Sequence, residues 1–342
     1  LRFIAERTSI EAMKHRMHNI ISAEQFTRPQ LEDLFVSADI MRDADHGNRA
    51  QWRELASRHI GRQLISLFYE PSTRTRLSFE LAATKLGIGY VSTENAREFS
   101  SAAKGETLED SIRVLGEYNA DILVMRHHET GAAARAAAVA PDHMSIINAG
   151  DGKGEHPTQA LLDAYTIRNH LGRLSDTRIV LGGDLRNGRT ARSLVKLLTL
   201  YPDNEFTFVS TPNFQMGDDI KQRLDECSLT WQETTDTHAA VEDADVVYWT
   251  RLQRERLDGA VAQEQSLIID ASVIAAMDPG AIIMHPLPRV GEITTDVDND
   301  PRAQYFRQAG NGLYIRMALL DHLLLNDSVY LDEPPTTIPW SS

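Results

Sequence analysis

The sequence predicts an α/β protein of two domains, each a mainly parallel sheet flanked by helices. Three observations lead there. Short apolar runs alternate with segments of helical period through most of the chain, which is the rhythm of strands joined through helices. Runs such as DILVM (121–125) and MSIIN (144–148) are almost wholly apolar, as strands covered on both faces require. The chain has 342 residues, and a domain takes roughly 100–200.

In chain order, LISLFY (64–69) is a strand feeding the helical segment RLSFELAATKL, which ends at Gly87. DILVM and MSIIN follow as strands. PTQALLDAYTIRNHL (157–171) is a helix opened by Pro157 and closed by Gly172, the residues that helix ends prefer, and it is placed to bridge the two domains. RIVLGG (178–183), a helix from Arg189 to Leu200, EFTFVS (205–210), a helix near 215–225, DVVYW (245–249), SLIID (266–270) and AIIM (281–284) continue the alternation. The amphipathic segment GLYIRMALLDHLLL (312–325) returns onto one of the domains, and the proline-rich tail DEPPTTIPWSS (332–342) is expected to be loose. No internal repeat, low-complexity tract or heptad seam interrupts this pattern.

Composition narrows the function. With 35 Lys+Arg against 49 Asp+Glu the formal net charge is −14, which disfavours nucleic acid or an anionic membrane as partner. An anionic ligand would need positive charge concentrated locally, so arginines inside motifs carry more weight than arginines elsewhere. Cys227 is the single cysteine, which excludes an intrachain disulfide, a cysteine-based zinc site and a redox pair; it reads as a small packing residue. No apolar run reaches the roughly 18 residues of a spanning helix. The first segment contains Glu6 and Glu11 and does not read as a signal peptide, although a leader ahead of Leu1 stays open. A reducing, cytoplasmic setting is expected.

Polar clusters directly after the strand-like runs are where ligands of parallel sheets bind. EPSTRTRLSFE (70–80) puts Ser72, Thr73, Arg74 and Thr75 at a strand–helix junction, where free N–H groups and the helix dipole favour an anion. Arg126 follows DILVM, with His127 and His128 after it; no acidic or cysteine partner stands at metal-ligand spacing, so no metal is expected. The loop NAGDGKGEHPTQALLD (148–163) leads through His156 into a helix with Gln159 in its first turn. GGDLRNGRTARSL (182–194) lacks the G-x-G-x-x-G spacing of a dinucleotide fingerprint, and Arg189 at its helix start suits a carboxylate instead. In TRLQRER (250–256), Arg251 and Gln253 alternate onto one side. In MHPLPRVGEI (284–293), Pro286 and Pro288 remove backbone donors around Leu287 and leave carbonyls to accept from an amine. SSAAKGETLED (100–110) carries Ser100 and Lys104 in a small-residue loop, before a helix with the capping pair Thr107 and Asp110. Taken singly, Arg126, Arg251 and Lys104 are also readable as solvated surface charges.

Taken together, STRTR, SSAAKGETLED, VMRH, HPTQALLD, GDLRNGRT, TRLQRERL, HPLPR and DPRAQYFRQAGNGLYIRMALL, in this order over roughly residues 18–325, resemble the catalytic chains of aspartate carbamoyltransferases. The S-T-R-T-R segment is shared by the wider carbamoyltransferase family, so the acceptor is argued from the second half. Ornithine enzymes resemble one another in an H-C-L-P segment, where this chain has His285-Pro286-Leu287-Pro288, and Arg189, Arg251 and Gln253 suit a dicarboxylate. The resemblance implies transfer of the carbamoyl group of carbamoyl phosphate to L-aspartate, in pyrimidine biosynthesis, without a cofactor.

It also implies roles. Ser72, Thr73, Arg74, Thr75 and Arg126 would bind the phosphate, and Arg74, Thr75 and His156 the carbamoyl oxygen. Gln159 with the Leu287–Pro288 backbone would hold the carbamoyl NH2. Arg189, Arg251 and Gln253 would hold aspartate, with Glu255 orienting Arg251. Ser100 and Lys104 would enter the site of a neighbouring subunit, which makes a homotrimer the working unit. The implied domains are 18–156, with a helix 307–328 packing back on it, and 157–306; the implied Leu287–Pro288 bond is cis. ENAREFSSAAKGETLEDSIR is similar to the plant-type chains, which work as trimers without regulatory subunits. Ala191-Arg192 departs from the usual residues after GRT, the loop after Arg256 is short, and the first seventeen or so residues match nothing in the family. Three alternatives stay open at this point: another acceptor, an inactive homologue serving as scaffold, and a dehydrogenase, the last opposed by the missing glycine fingerprint.

Overall fold

The structure, a computed structural model, describes residues 17–99, 104–252 and 267–327. Its first half holds helices α1 (Arg28–His46) and α2 (Arg49–Ser57), strand β1 (Gln63–Phe68), α3 (Thr73–Lys85), β2 (Gly89–Glu94), α4 (Ala96–Phe99), α5 (Leu108–Gly116), β3 (Ile122–His127), α6 (Ala132–Val139), β4 (Ser145–Asp151) and α7 (Pro157–Leu171). The second half holds β5 (Arg178–Gly182), α8 (Arg189–Leu198), β6 (Glu205–Val209), α9 (Asp218–Glu226), β7 (Thr230–Thr234), α10 (Thr237–Val241), β8 (Val246–Trp249), α11 (Ala271–Ala276), β9 (Ile282–Met284) and α12 (Tyr305–Asp327).

Two sheets result, ordered β2-β1-β3-β4 and β7-β6-β5-β8-β9, and every pairing in them is parallel. The expected α/β class with two helix-flanked parallel sheets is therefore the observed one. In each sheet the strand order reverses once, between β1 and β3 and between β5 and β8. Helices on either side of such a reversal run to opposite faces, and a crevice opens at the carboxyl ends of the strands.

α7 starts at Pro157 and ends on Gly172 in the left-handed region, φ 72°, as the sequence implies. It is buried on all sides from Pro157 to Ile167, because α8 and α12 pack on it from two directions. One core runs through it, from Phe35 and Phe79 on the side of the first sheet to Leu181 and Phe206 in the second. The outer faces are closed separately, by Ile65, Leu123 and Ile146 in one half and by Val180, Val247 and Trp249 in the other. α12 packs on α1, α3 and α7, so the last described helix returns to the first half. Cys227 is the C-cap of α9, and the Thr107 hydroxyl accepts from Asp110 N–H at 3.1 Å.

One strand expectation fails. SLIID forms no sheet strand; within its described part only Ile269 makes an isolated bridge, to Ile293. Ile269 and Leu267 pack beside β8 without joining a ladder: Ile269 is buried in the same cluster as Trp249 and Leu267 packs against it, and the carbonyl of Leu267 accepts from the Trp249 indole N–H at 2.9 Å.

The second sheet's reversal depends on Gly183. Its φ is +98°, and a Cβ there would lie 2.0 Å from the carbonyl oxygen of Thr250. We expect Gly183→Ala to lower stability by about 2 kcal/mol or more, from backbone strain and overpacking together. A urea midpoint equal to that of the parent would contradict this account of the junction.

Candidate active site

Residues at or beyond the carboxyl ends of β1, β3, β4, β5, β8 and β9 line a single cavity of about 600 Å³. From the end of β1 come Ser72, Thr73, Arg74 and Thr75. Ser72 is the N-cap of α3, yet its hydroxyl does not cap the helix; it accepts from Arg126 Nη1 at 3.2 Å. The first N–H groups of a helix have no partner within the helix, and the residues of the first turn of α3, Thr73, Arg74 and Thr75, line the cavity. Burial pulls the Arg74 guanidinium below its ordinary value. Arg126, at the end of β3, is bracketed by Ser72 and by Glu70, whose carboxylate lies 3.5 Å from Nε.

His156 and Gln159 enter from the start of α7. His156 is buried, with its backbone N–H on Ser193 Oγ at 3.2 Å and its Nδ1 without a partner among the described residues. Burial lowers its pKa well below 6.5, and the neighbouring Arg189, Arg126 and Arg316 push the same way. The ring is therefore neutral near neutral pH and can donate one N–H to an oxygen without bringing a charge. Gln159 donates Nε2–H to Asp163 Oδ1 at 2.8 Å.

The second sheet supplies Arg189 and Arg251. Arg189 is buried at the start of α8 and donates Nη1–H to the carbonyl of Gly152 at 2.7 Å; Arg251 follows β8. The turn after β9 supplies Leu287 and Pro288, joined by a cis peptide bond as expected, with Leu287 at φ +45°. This turn is tied down by His285, whose Nδ1 accepts from Leu287 N–H at 2.8 Å. The proton of the neutral ring is thereby on Nε2, which faces Glu292 Oε1 at 2.8 Å.

Ser72, Thr73, Arg74, Thr75, Arg126, His156, Gln159, Arg189, Arg251, Leu287 and Pro288 thus share one cavity. Lys104 does not line it; it is exposed on the turn before α5. Ser100, Gln253 and Glu255 lie outside the described residues. Sequence reasoning did not single out Glu70, Gln308 or Arg316, which also line the cavity. Arg316 is buried on α12, donates Nη1–H to Ser78 Oγ at 3.1 Å and lies over the Phe79 ring; burial brings its guanidinium down to about 10. A lone arginine inside the apolar run GLYIRMALL was the available signal.

Among the described residues, five arginines (74, 126, 189, 251 and 316) and one carboxylate, Glu70, line the cavity, inside a chain of net charge −14. Such a cavity is built for a ligand bearing several negative charges. The same residues agree with known proteins. The pattern of the aspartate/ornithine carbamoyltransferase carbamoyl-P binding domain matches residues 18–169, and that of the Asp/Orn binding domain matches residues 175–323. The chain belongs to the aspartate/ornithine carbamoyltransferase family.

Among its carbamoyltransferase relatives, the chloroplastic aspartate carbamoyltransferase of Arabidopsis thaliana is 50% identical over 319 residues, 92% of this chain and 80% of that protein. The chloroplastic enzyme of Oryza sativa subsp. japonica is 50% identical over 314 residues, 91% and 86% of the two chains. Aspartate transcarbamoylase from Trypanosoma cruzi, solved in complex with carbamoyl phosphate and aspartate, superposes with a TM-score of 0.82 at 39% identity, covering 90% of this chain and 97% of that one. The expectation of a cytoplasmic location is contradicted by these plant relatives, which are chloroplastic enzymes. A single cysteine speaks only for a reducing interior, and a plastid can be as reducing as a cytosol, so that signal does not separate the two.

The electrostatics yield a direct test. At pH 6.5, where a free imidazole is half protonated, the His156 ring resonances should be those of a neutral imidazole and should begin to shift only well below it. His156→Ala assigns the signal. A titration midpoint at or above 6.5 contradicts the cationic, buried setting.

Proposed function

We propose that this carbamoyltransferase joins carbamoyl phosphate to L-aspartate, giving N-carbamoyl-L-aspartate and phosphate in pyrimidine biosynthesis, through the residues of the arginine-lined cavity. The observation that carries the reading is the convergence on that cavity of an anion-binding helix start, Ser72–Thr75, with Arg189 and Arg251 from the other sheet. One side suits a phosphate and the other a dicarboxylate.

In this reading the phosphate rests on Ser72, Thr73, Arg74, Thr75 and Arg126. Arg74, Thr75 and the neutral His156 direct donors at the carbamoyl oxygen, where negative charge grows as the amine attacks. Gln159 and the Leu287 carbonyl accept from the carbamoyl NH2, with Pro288 fixing the turn. Arg189, Arg251 and Gln253 hold the two carboxylates of aspartate. The amine attacks the carbonyl carbon in its neutral form, the tetrahedral intermediate collapses with cleavage of the C–O bond to phosphate, and the departing phosphate takes the amine proton. Orientation and fixed charge supply the rate, without a covalent enzyme intermediate. The division of labour corresponds to a carbamoyl phosphate domain over 18–156, with helix 307–328 packed on it, and an aspartate domain over 157–306. The packing of α12 on α1 and α3 supports its grouping with the first of these domains.

Purified protein given carbamoyl phosphate should convert L-aspartate and leave ornithine unchanged. Arg251→Ala should raise the aspartate KM and lower turnover, a loss of about 1.5–3 kcal/mol or more for a charge-assisted contact, while carbamoyl phosphate still binds. Aspartate kinetics equal to those of the parent would remove Arg251 from the site.

The position of Lys104 outside its own chain's cavity supports a homotrimer in which Ser100 and Lys104 complete a neighbour's site. Mixing inactive Lys104→Ala and Arg74→Ala chains should then restore activity, with about a quarter of the sites whole in random trimers of a closed ring. Hybrids as inactive as their parents, once subunit exchange is demonstrated, would exclude a shared site.

A further inference from the structure

Behind the cavity lies a buried carboxyl to which the reaction as described gives no task. Asp163 sits one turn after Gln159 on α7 and is fully buried. Its Oδ1 accepts from Gln159 Nε2 at 2.8 Å and from Gln308 Nε2 at 2.6 Å. Its Oδ2 accepts from the Tyr248 hydroxyl, on β8, at 2.8 Å. Gln308, on α12, has its own oxygen occupied by the backbone N–H of His285 at 2.9 Å. A carboxylate oxygen can only accept, so it dictates which end of each amide faces it.

The consequence reaches the cavity from two sides. With Nε2 of Gln159 held on Asp163, the amide oxygen is the end left for the cavity that Gln159 lines. With Nε2 of Gln308 held on the same atom, its oxygen anchors His285, and His285 in turn fixes the Leu287 N–H. The two groups assigned to the carbamoyl NH2, the Gln159 oxygen and the Leu287 carbonyl, both trace back to one carboxyl oxygen.

We propose that Asp163 is a positioning residue that holds the Gln159 amide oxygen and the Leu287 carbonyl as paired acceptors, so that the site selects an acyl phosphate bearing NH2 over one bearing CH3. The proposal rests on the reading that Gln159 and Leu287 receive the carbamoyl NH2. A site built to pair a donor discriminates strongly against the isostere lacking it, because its own polar groups are then left unpaired. Burial raises the Asp163 pKa to about 7, against the hydrogen bonds from Gln308, Tyr248 and Gln159 and the charge of Arg316. Tyr248 from β8 and Arg316 from α12 are the titratable and charged groups facing it, and α7 contributes the neutral Gln159. A proton taken up on Oδ2 faces a hydroxyl that can accept it, so Oδ1 keeps both amides in either ionisation state.

The test compares the binding of carbamoyl phosphate and acetyl phosphate, two ligands that differ in NH2 against CH3. In Asp163→Ala the preference for carbamoyl phosphate should shrink about tenfold or more, with acetyl phosphate binding close to the parent's. Asp163→Asn offers one oxygen to both amides and its NH2 to the Tyr248 hydroxyl, so it should keep the preference within about threefold. In a Gln159→Ala background, Asp163→Ala should cost much less than it does alone, because part of its effect passes through Gln159. An unchanged preference in Asp163→Ala, or a lost one in Asp163→Asn, overturns the proposal, the latter by showing that charge rather than an acceptor is needed. If Asp163→Ala does not fold, the Gln159 side-chain NH2 resonances of the parent decide. They should persist, protected from exchange, when carbamoyl phosphate is bound, and their release on binding would sink the idea. A parent that binds carbamoyl phosphate but forms no N-carbamoyl-L-aspartate would instead refute the proposed function, a separate outcome.

Discussion

Everything in this molecule is arranged by two reversals of strand order that open onto one space. In the first sheet β1 and β3 part company, and Ser72–Thr75 and Arg126 emerge at their ends. In the second, β5 and β8 do the same, releasing Arg189 and Arg251. A parallel sheet directs all its strand ends to one side, and only at a reversal do the following helices diverge enough to leave a crevice. Two such crevices face each other across α7, which is buried on every side from Pro157 to Ile167 and so holds both halves to a common reference. The phosphate-like and carboxylate-like ends of the cavity are brought within reach of each other by that packing rather than by any loop.

The parts of this plan that were legible in the sequence are those whose signal is local. Buried strands announce themselves by apolar runs, and the helix starts that bind anions follow them within a few residues. Hence β1, β3, β5 and β8 and the clusters after them were readable, and α7 was bounded by its proline and glycine. The edge strands β2 and β7 were not, because their residues are half exposed and GYVSTE and TWQET carry no apolar run. SLIID misled for the opposite reason: its Leu267 and Ile269 pack into a core, yet it makes no ladder. Likewise the motifs that hold substrate directly were visible, while Asp163, Tyr248 and Gln308 were not. Their contacts span 85 and 145 residues, and no spacing rule reaches that far.

The cavity's charge sets a further constraint on the whole. Five arginines line it among the described residues, and guanidinium groups stay charged even when burial lowers one to about 10. Glu70 is the one carboxylate lining the cavity there, against a chain that is otherwise acidic. Charges held this way cost desolvation without full repayment until an anion arrives, so ligand binding should stabilise the fold as well as fill the site. Burial keeps His156 neutral, and Arg189, Arg126 and Arg316 push the same way. A protonated His156 would bring one more cation into a site already rich in them; a neutral one supplies a donor of fixed direction. The positive field therefore does two things at once. It draws in anionic substrates, and together with burial it holds the imidazole in the form that can stabilise a developing oxyanion without competing for the phosphate.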